Sequence, residues 1–314
     1  MDNVFFRKLS LFLIIFAVLI ILWGAWVRIS GSGDGCGVHW PLCQGYIVPT
    51  GEYLLTLQTW IEYFHRAKSG LFGILVIAQC ILAFKLFPKG SAVRFFAVGS
   101  LFFTFIEALL GAVLVLGGFV DSDTSIGRVV IMSLHLINTL VLLLFLTGTY
   151  FFSIDKHTCI SRSSFIANLS SKKIQSLPLF LIILIAITGA WAALSTTLFP
   201  SSSLFEGLSK DISPTSHIVL RLRIFHPILA TIAAFVCYIL ILKSPVKTYI
   251  TRINVLLLTQ ILFGLFTLAF LSPTWMKILH LLLADLLWIA VCLNLFANSI
   301  LYLSNLEHIK KTPS

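Results

Sequence analysis

Long apolar segments separated by short polar links make up most of this chain. Eight stretches contain roughly 20 or more mainly apolar residues, and each is long enough to cross a bilayer as an α-helix. They cover about residues 10–29, 60–87, 94–118, 129–152, 177–198, 218–242, 251–272 and 274–302. The pattern predicts an all-α integral membrane protein with eight transmembrane helices, surrounded by the lipid bilayer.

The composition agrees with this prediction. Apolar residues make up 58% of the 314 residues and charged residues only 11%, well below the roughly 25% of an ordinary soluble domain. The first segment follows Arg7 and Lys8, as the apolar part of a signal peptide would. Its apolar run continues to Val27, however, and no small-residue cleavage site follows directly. We therefore predict a helix of the mature protein.

The basic residues indicate which side of the membrane each link faces. Fourteen of the 22 lysines and arginines lie in the two termini and three alternate links: Arg7, Lys8, Lys85, Lys89, Arg94, Lys156, Arg162, Lys172, Lys173, Lys243, Lys247, Arg252, Lys310 and Lys311. The positive-inside rule then places both termini in the cytoplasm and the chain in the inner (plasma) membrane. Because the net charge of +10 is spread over separate segments, it gives no support to nucleic-acid binding.

Four histidines lie at a similar depth in the even-numbered segments. His65, His135, His226 and His280 follow the outer starts of their segments by five to eight residues, which is roughly 8 to 12 Å. A single histidine in a membrane helix is often only an interhelical hydrogen-bonding residue, but four at one depth favour metal ligation. Zinc is less favoured, because zinc sites usually recruit cysteine or carboxylate ligands at short spacing.

The second half of the chain repeats the first. The corresponding positions are Gly24-Ala25-Trp26 and Gly189-Ala190-Trp191, Glu107 with Gly111 and Gln260 with Gly264, His65 and His226, and His135 and His280. Since each half has an even number of helices, we predict two four-helix bundles related by a pseudo-twofold axis along the membrane normal. We place the N-terminal bundle at 1–155, a cytoplasmic linker at 156–176 and the C-terminal bundle at 177–314.

The repeat divides the histidines into two pairs, His65 with His135 and His226 with His280. Two imidazoles that face each other in a four-helix bundle suit the two axial positions of a haem iron. The aromatic-rich segments, with 27 phenylalanines in the chain, suit a porphyrin plane. The sequence therefore predicts one haem site in each half.

The residue three places before the first histidine of each pair differs between the halves. Glu62 shares a helix face with His65 and is a candidate base or cation stabiliser, with an ion pair to Arg66 as the alternative. Arg223 holds the corresponding place before His226, and a guanidinium near a haem commonly pairs with a propionate. This difference predicts chemistry in the first half and a structural or electron-carrying haem in the second.

Two cysteines lie in a glycine-rich outer link. Cys36 and Cys43 face an oxidising compartment, where a disulfide is expected, either as a loop staple or with a redox role. The other cysteines are expected to be inert: Cys80, Cys159, Cys237 and Cys292.

Together these motifs resemble the haem A synthase family of the bacterial and mitochondrial type. The resemblance covers about residues 10–300 and rests on four features: Gly24-Ala25-Trp26-Val27-Arg28 with the cysteine loop that ends in Trp40-Pro41-Leu42-Cys43, the Glu62-x-x-His65-Arg66 motif, the duplicated halves and the four histidines. It implies oxidation of the C8 methyl group of haem O to a formyl group, which gives haem A for cytochrome oxidase.

The resemblance also implies residue roles. The substrate haem O would lie between His65 and His135, with the catalytic Glu62 beside it, and His226 and His280 would ligate haem b as the cofactor. A haem O synthase is then a candidate partner, and the electron acceptor is unidentified.

The cysteines match the family in one half only. Cys36 and Cys43 correspond to the family pair that is linked to a disulfide. Many family members have a second pair in the corresponding loop, whereas residues 195–203 contain no cysteine. A relay of electrons through two cysteine pairs is therefore not expected here.

Two other functions stay open at this point. A dihaem electron carrier of the quinol-oxidising type would use the same histidine pairs, but it predicts similar surroundings for both haems and a quinone pocket. A transporter with repeat symmetry would favour broken helices that meet near the midplane, whereas these histidines lie near the outer edge. The difference between Glu62 and Arg223 favours the enzyme.

Overall fold

The computed structural model describes residues 3–51, 56–154, 160–171 and 173–311, with side chains described for all of these except 167–171, 173–175 and 302–311. In these ranges the regular structure is helical and contains no strand. The helices are α1 (Asn3–Ile29), α2 (Leu57–Leu86), α3 (Ala92–Leu116), α4 (Ile126–Phe152), α5 (Arg162–Ser171), α6 (Lys173–Leu198), α7 (Leu204–Ile212), α8 (Ile218–Arg221), α9 (Phe225–Leu242), α10 (Lys247–Ala269) and α11 (Thr274–Lys311).

Eight spans among the described residues are long and apolar enough to cross a membrane. The first four are α1 to α4, the sixth runs from Ile218 to Leu242, and the others belong to α6, α10 and α11. Their bounds lie within a few residues of the predicted segments, except at the N-terminus, where α1 begins seven residues earlier. The predicted all-α integral membrane fold is confirmed.

Local sequence signals fix several helix ends. Ser91 and Ser125 are the N-caps of α3 and α4, and each side chain accepts a hydrogen bond from the backbone N–H three residues later. After α3, Gly118 adopts a φ of +68°, which a residue with a side chain rarely adopts. The N–H of Phe119 can then donate to the carbonyl of Leu114 and close the helix end.

The sixth span is irregular where it approaches its histidine. The short helix α8 is followed by a 3-10 turn at Leu222–Ile224, and α9 begins at Phe225. Pro227 has no N–H to donate to the carbonyl of Arg223, so regular α-helical bonding is interrupted at this turn. His226 is thus the second residue of α9, directly after the irregular turn.

Each half forms a closed ring of helices. In the first half, α1, α2, α3 and α4 contact one another in cyclic order, and in the second half α6, α9, α10 and α11 do the same. The halves meet along α4, which contacts both α6 and α11. The pseudo-twofold relation and the predicted domain boundaries stay predictions. Within the predicted linker 156–176, the structure adds α5 and starts α6 at Lys173, while Cys159 lies outside the described residues.

Two tryptophans join the halves near α4. Trp191 on α6 donates its Nε1–H to Ser133 Oγ at 2.8 Å, and Trp288 on α11 donates to the carbonyl of Leu140 at 2.8 Å. Buried indole N–H groups need such acceptors. An aromatic cluster lies at the other end of the interface, where Phe96 contacts Phe296 with ring centroids 5.2 Å apart. The two halves therefore pack as one core.

The link after α6 contains a short amphipathic helix that the apolar pattern does not predict. Helix α7 is capped by Ser203, and its exposed apolar side chains include Phe205 and Ile212, which are 84% and 65% exposed. This pattern is typical of a helix lying at a membrane interface. Hydrogen bonds from Lys210 and Ser202 lower the pKa of Glu206 to about 2. The carboxylate is therefore charged at neutral pH and supports the start of the helix.

Candidate functional site

Each of the four histidines lies against a glycine of the preceding transmembrane span. A Cβ atom placed on that glycine would approach the imidazole Cε1 atom closely. The distances are 2.9 Å for Gly24 with His65, 4.0 Å for Gly111 with His135, 3.0 Å for Gly189 with His226 and 3.0 Å for Gly264 with His280. In three of the four cases a side chain would require the ring to shift by at least a few tenths of an ångström, because Cβ atoms rarely come this close to another atom. The absence of a side chain at Gly24, Gly189 and Gly264 therefore leaves room for the imidazole rings of His65, His226 and His280.

The structure brings the predicted pairs together. The rings of His226 and His280 have centroids 6.3 Å apart and an interplanar angle of 79°, a separation at which both can ligate one iron atom between them. In the first half, His65 lies close enough to His135 for an electrostatic interaction. The members of each predicted pair therefore lie near one another, and their role as ligands of one iron stays a prediction.

Most of these imidazoles have a buried nitrogen without a partner. Nδ1 of His65, His135 and His280 makes no hydrogen bond to any described residue. Nδ1 of His226 instead lies 3.4 Å from Thr188 Oγ1, and His226 also bonds the backbone of Ile185. Buried polar atoms are usually satisfied, so unsatisfied imidazoles at equivalent places indicate a functional task.

Glu62 is buried, and both of its carboxylate oxygens accept hydrogen bonds. Its side chain is 4% exposed; Oε2 accepts from the Cys36 N–H at 2.7 Å, and Oε1 accepts from Arg66 Nη2 at 2.5 Å. The ion pair with Arg66, which the sequence left as an alternative, is therefore formed. It lies one helical turn from His65.

The pair of Glu62 and Arg66 fastens the cysteine loop to α2. The loop is closed by the predicted disulfide between Cys36 and Cys43. Arg66 Nη1 donates to the carbonyl of Leu42 at 2.5 Å and also to that of His39. The loop is thus attached at both sides of the disulfide to the helix that carries His65.

Glu107 is a second acid in the first half, and it lies at the histidine itself. Its Oε1 is 3.5 Å from Nε2 of His135. Asn138 Nδ2 donates to its Oε2 at 2.6 Å, and the hydroxyl of Thr139 donates to its Oε1. The corresponding residue in the second half is Gln260, whose Nε2 is 3.4 Å from Nε2 of His280. From this mismatch between the repeats the sequence also suggests Glu107 as a second acid near the first site, and the structure places its carboxylate beside His135.

The comparison with known families agrees with this geometry. The model of the family COX15-CtaA, described as cytochrome oxidase assembly protein, matches residues 7–292. The chain belongs to this family. The resemblance to the haem A synthase family is confirmed.

Individual relatives carry two different names. A Thermus thermophilus protein named protohaem IX farnesyltransferase is 37% identical over 279 residues, which are 87% of this chain but 45% of that relative. The haem A synthase of Symbiobacterium thermophilum is 39% identical over 99 residues, 32% of this chain and 31% of the relative. That of Bacillus cereus is 42% identical over 101 residues, 32% of each. This COX15-CtaA chain thus spans less than half the length of the Thermus relative.

Arg223 of this COX15-CtaA protein is engaged by the amphipathic helix. Its Nη2 lies 2.6 Å from the Asp211 carboxylate and donates to the carbonyl of Gly207 at 2.9 Å. The salt bridge ties α7 to the turn before His226. A contact of Arg223 with a haem propionate stays a prediction.

An apolar cavity of about 570 Å³ lies beside the second histidine pair. It is lined by Leu184, Ile187, Thr188, Trp191, Leu222, Phe225 and Leu229. Thr188 is the residue that contacts His226, so the cavity reaches the histidine layer. Its apolar lining suits a flat hydrophobic group.

Proposed function

We propose that the protein is a haem A synthase, which oxidises the C8 methyl group of haem O to a formyl group and so supplies haem A for cytochrome oxidase. Family membership and the relatives named haem A synthase support this. The observation that carries the proposal is the unequal repeat: each half presents a histidine pair, but the carboxylates of Glu107, at His135, and of Glu62, one turn from His65, correspond to Gln260 and Arg223 in the second half.

The second histidine pair fits a haem b cofactor. His226 and His280 would hold its iron, since their ring centroids are 6.3 Å apart, the apolar cavity includes Thr188 beside His226, and Nδ1 of His280 is buried without a partner among the described residues. When bound, haem b supplies one-electron redox chemistry. Gln260 beside His280 is neutral and takes up no proton, as suits a site that only carries electrons.

The first histidine pair is the proposed site of the substrate haem O. His65 lies close against Gly24, as His226 and His280 lie against Gly189 and Gly264, and with His135 it would hold and orient the substrate. Converting a methyl to a formyl group with water as the oxygen source releases four protons and four electrons, so the site needs a water molecule and a proton acceptor, and the electrons would leave one at a time through haem b in the second half. Glu107 is fixed by Asn138 and Thr139 next to His135, which suits this role.

Glu62 has a different position and, we propose, a different role. One helical turn from His65, it places a buried negative charge beside the substrate, where it stabilises positive charge that develops during oxidation. The same carboxylate holds the disulfide loop through Cys36 and Arg66. The loop is thereby held against α2, one helical turn from His65.

The relative from Thermus thermophilus suggests a partner. Its name is protohaem IX farnesyltransferase, and the part that this chain matches is 45% of its length. We propose that a haem O synthase, which would deliver the farnesylated substrate, acts next to this protein in the inner membrane. Both termini of this chain are proposed to be cytoplasmic, as the distribution of basic residues indicates.

The proposed function is tested by expressing the chain in a host with and without a supply of haem O, and identifying the haems of the purified protein by extraction and mass spectrometry. We expect haem b in both preparations and haem A only with haem O. Haem b with neither haem O nor haem A in both preparations would overturn the proposal and favour the dihaem electron carrier.

A further inference from the structure

Three basic side chains lie near one another at the outer ends of α1, α4 and α11. We call Arg28, Arg128 and Lys277 the cationic cluster. Arg28 interacts electrostatically with both Arg128 and Lys277. Its Nη1 lies 3.6 Å from the sulphur of Met132, one turn after Arg128, which places the guanidinium against α4. Helix α1 contacts both α4 and α11, so the cluster lies where the two halves meet.

The positive charge of the cluster is only partly balanced. Arg128 donates to the carbonyls of Asp121 and Asp123 at 2.6 and 2.7 Å, and both carboxylates interact with it electrostatically. Among the described residues, neither Arg28 nor Lys277 has an ion pair with a carboxylate, and Nζ of Lys277 only approaches the Thr197 hydroxyl at 3.3 Å. Holding cations near one another and partly out of water raises the free energy of the folded protein, unless an anion binds between them.

The register places the cluster directly outside the histidine layer. Arg28 follows Gly24 by four residues, so it extends from the helix face that seats His65. Lys277 precedes His280 by three residues on the same face of α11. Both cations therefore lie about 4.5 to 6 Å outward of these positions along their helices.

We propose that the cationic cluster binds an anionic oxygen group, a carboxylate or a phosphate, between the two halves. Guanidinium and ammonium groups form charge-assisted hydrogen bonds with both. A haem held by the histidines carries two propionates that could supply the carboxylate, and a phospholipid headgroup could supply the phosphate. The propionate source rests on the proposed function, whereas the phosphate source does not.

The propionate source is tested with protohaem IX and its dimethyl ester, which lacks the carboxylates. Full-length protein made in a haem-deficient host is titrated with each, and the ratio of the two dissociation constants is measured. We expect the wild type to bind protohaem IX about 10- to 100-fold more tightly than the ester. Arg28→Gln and Lys277→Gln should reduce this ratio towards one, whereas Arg28→Lys should retain most of it. Lys210→Gln, an exposed lysine paired with Glu206, is the matched control and should leave it unchanged.

The phosphate source is tested on the same proteins by quantifying the anionic phospholipid that copurifies with each variant. A loss of phospholipid in Arg28→Gln and Lys277→Gln, with the haem ratio unchanged, would identify a phosphate ligand. If neither the ratio nor the phospholipid content changes, the cluster is not an anion site. If the wild type takes up no protohaem IX at all, the proposed function fails, and the phospholipid comparison alone decides the role of the cluster.

Discussion

Replacing Gly264 or Gly189 by alanine is expected to remove most of the haem from the second half. A Cβ at either position would lie 3.0 Å from Cε1 of His280 or His226, so the imidazole must shift by a few tenths of an ångström from the position in which it would ligate the iron. Overpacking of this kind costs roughly 1 to 3 kcal/mol, which corresponds to about 5- to 150-fold weaker binding. Haem content per protein and the reduced-minus-oxidised absorption spectrum measure the effect.

The chain provides a matched control for this experiment. Gly111 also lies beside a histidine, but a Cβ there would be 4.0 Å from Cε1 of His135, an ordinary contact distance. Gly111→Ala should therefore leave haem binding unchanged. Alanine is also the better helix former by roughly 0.5 to 1 kcal/mol, so a loss of haem cannot be attributed to a weaker helix. Full haem content and a wild-type spectrum in Gly264→Ala would show that the glycine does not position the histidine.

Replacing Glu62 by glutamine is expected to slow haem A formation about 10- to 100-fold, the usual range for groups that support a ligand. The amide removes the negative charge beside His65 and leaves the Arg66 guanidinium without its counter-ion, which is costly for a partly buried cation. Because Glu62 lies in the first half, haem b in the second half should be retained. The measurement is the ratio of haem A to haem O in extracts from cells supplied with haem O.

A second variant distinguishes the electrostatic effect of the Glu62 carboxylate from its contribution to positioning the loop. Arg66→Gln removes the hydrogen bonds to the loop carbonyls of His39 and Leu42 but keeps the carboxylate. If Arg66→Gln loses as much activity as Glu62→Gln, Glu62 acts by positioning the loop. A smaller loss in Arg66→Gln supports a direct electrostatic role. A wild-type rate of haem A formation in Glu62→Gln would rule out both.

The transmembrane spans could be predicted because each consists of a long apolar run. In lipid, the α-helix is the structure in which a single segment forms all its backbone hydrogen bonds within itself. Helix α7 could not be predicted in this way. It has nine residues, and the apolar pattern over so few turns is hard to distinguish from that of a polar link. The 3-10 turn before His226 differs, since Pro227 in the sequence predicts a local kink in this helix although no periodicity does.

The histidine pairs of the candidate site could be proposed from the sequence because they occupy corresponding positions in the two halves. Internal duplication paired His65 with His135 and His226 with His280, and it aligned Gly24 with Gly189, although the pattern does not explain why glycine is needed there. That reason is steric and appears only when two helices are packed together. The contact of Glu62 with Cys36 depends equally on how the outer loop folds back over α2, which hydrophobic periodicity does not encode.

The central claim is that the two histidine pairs have different tasks, with substrate in the first half and haem b in the second. It is tested most directly by extracting the haems from two double variants made with a haem O supply, His65→Ala with His135→Ala, and His226→Ala with His280→Ala, and identifying them by mass spectrometry. We expect the first variant to retain haem b and contain neither haem O nor haem A, and the second to lack haem b. The same set of haems in both variants would contradict this division of labour.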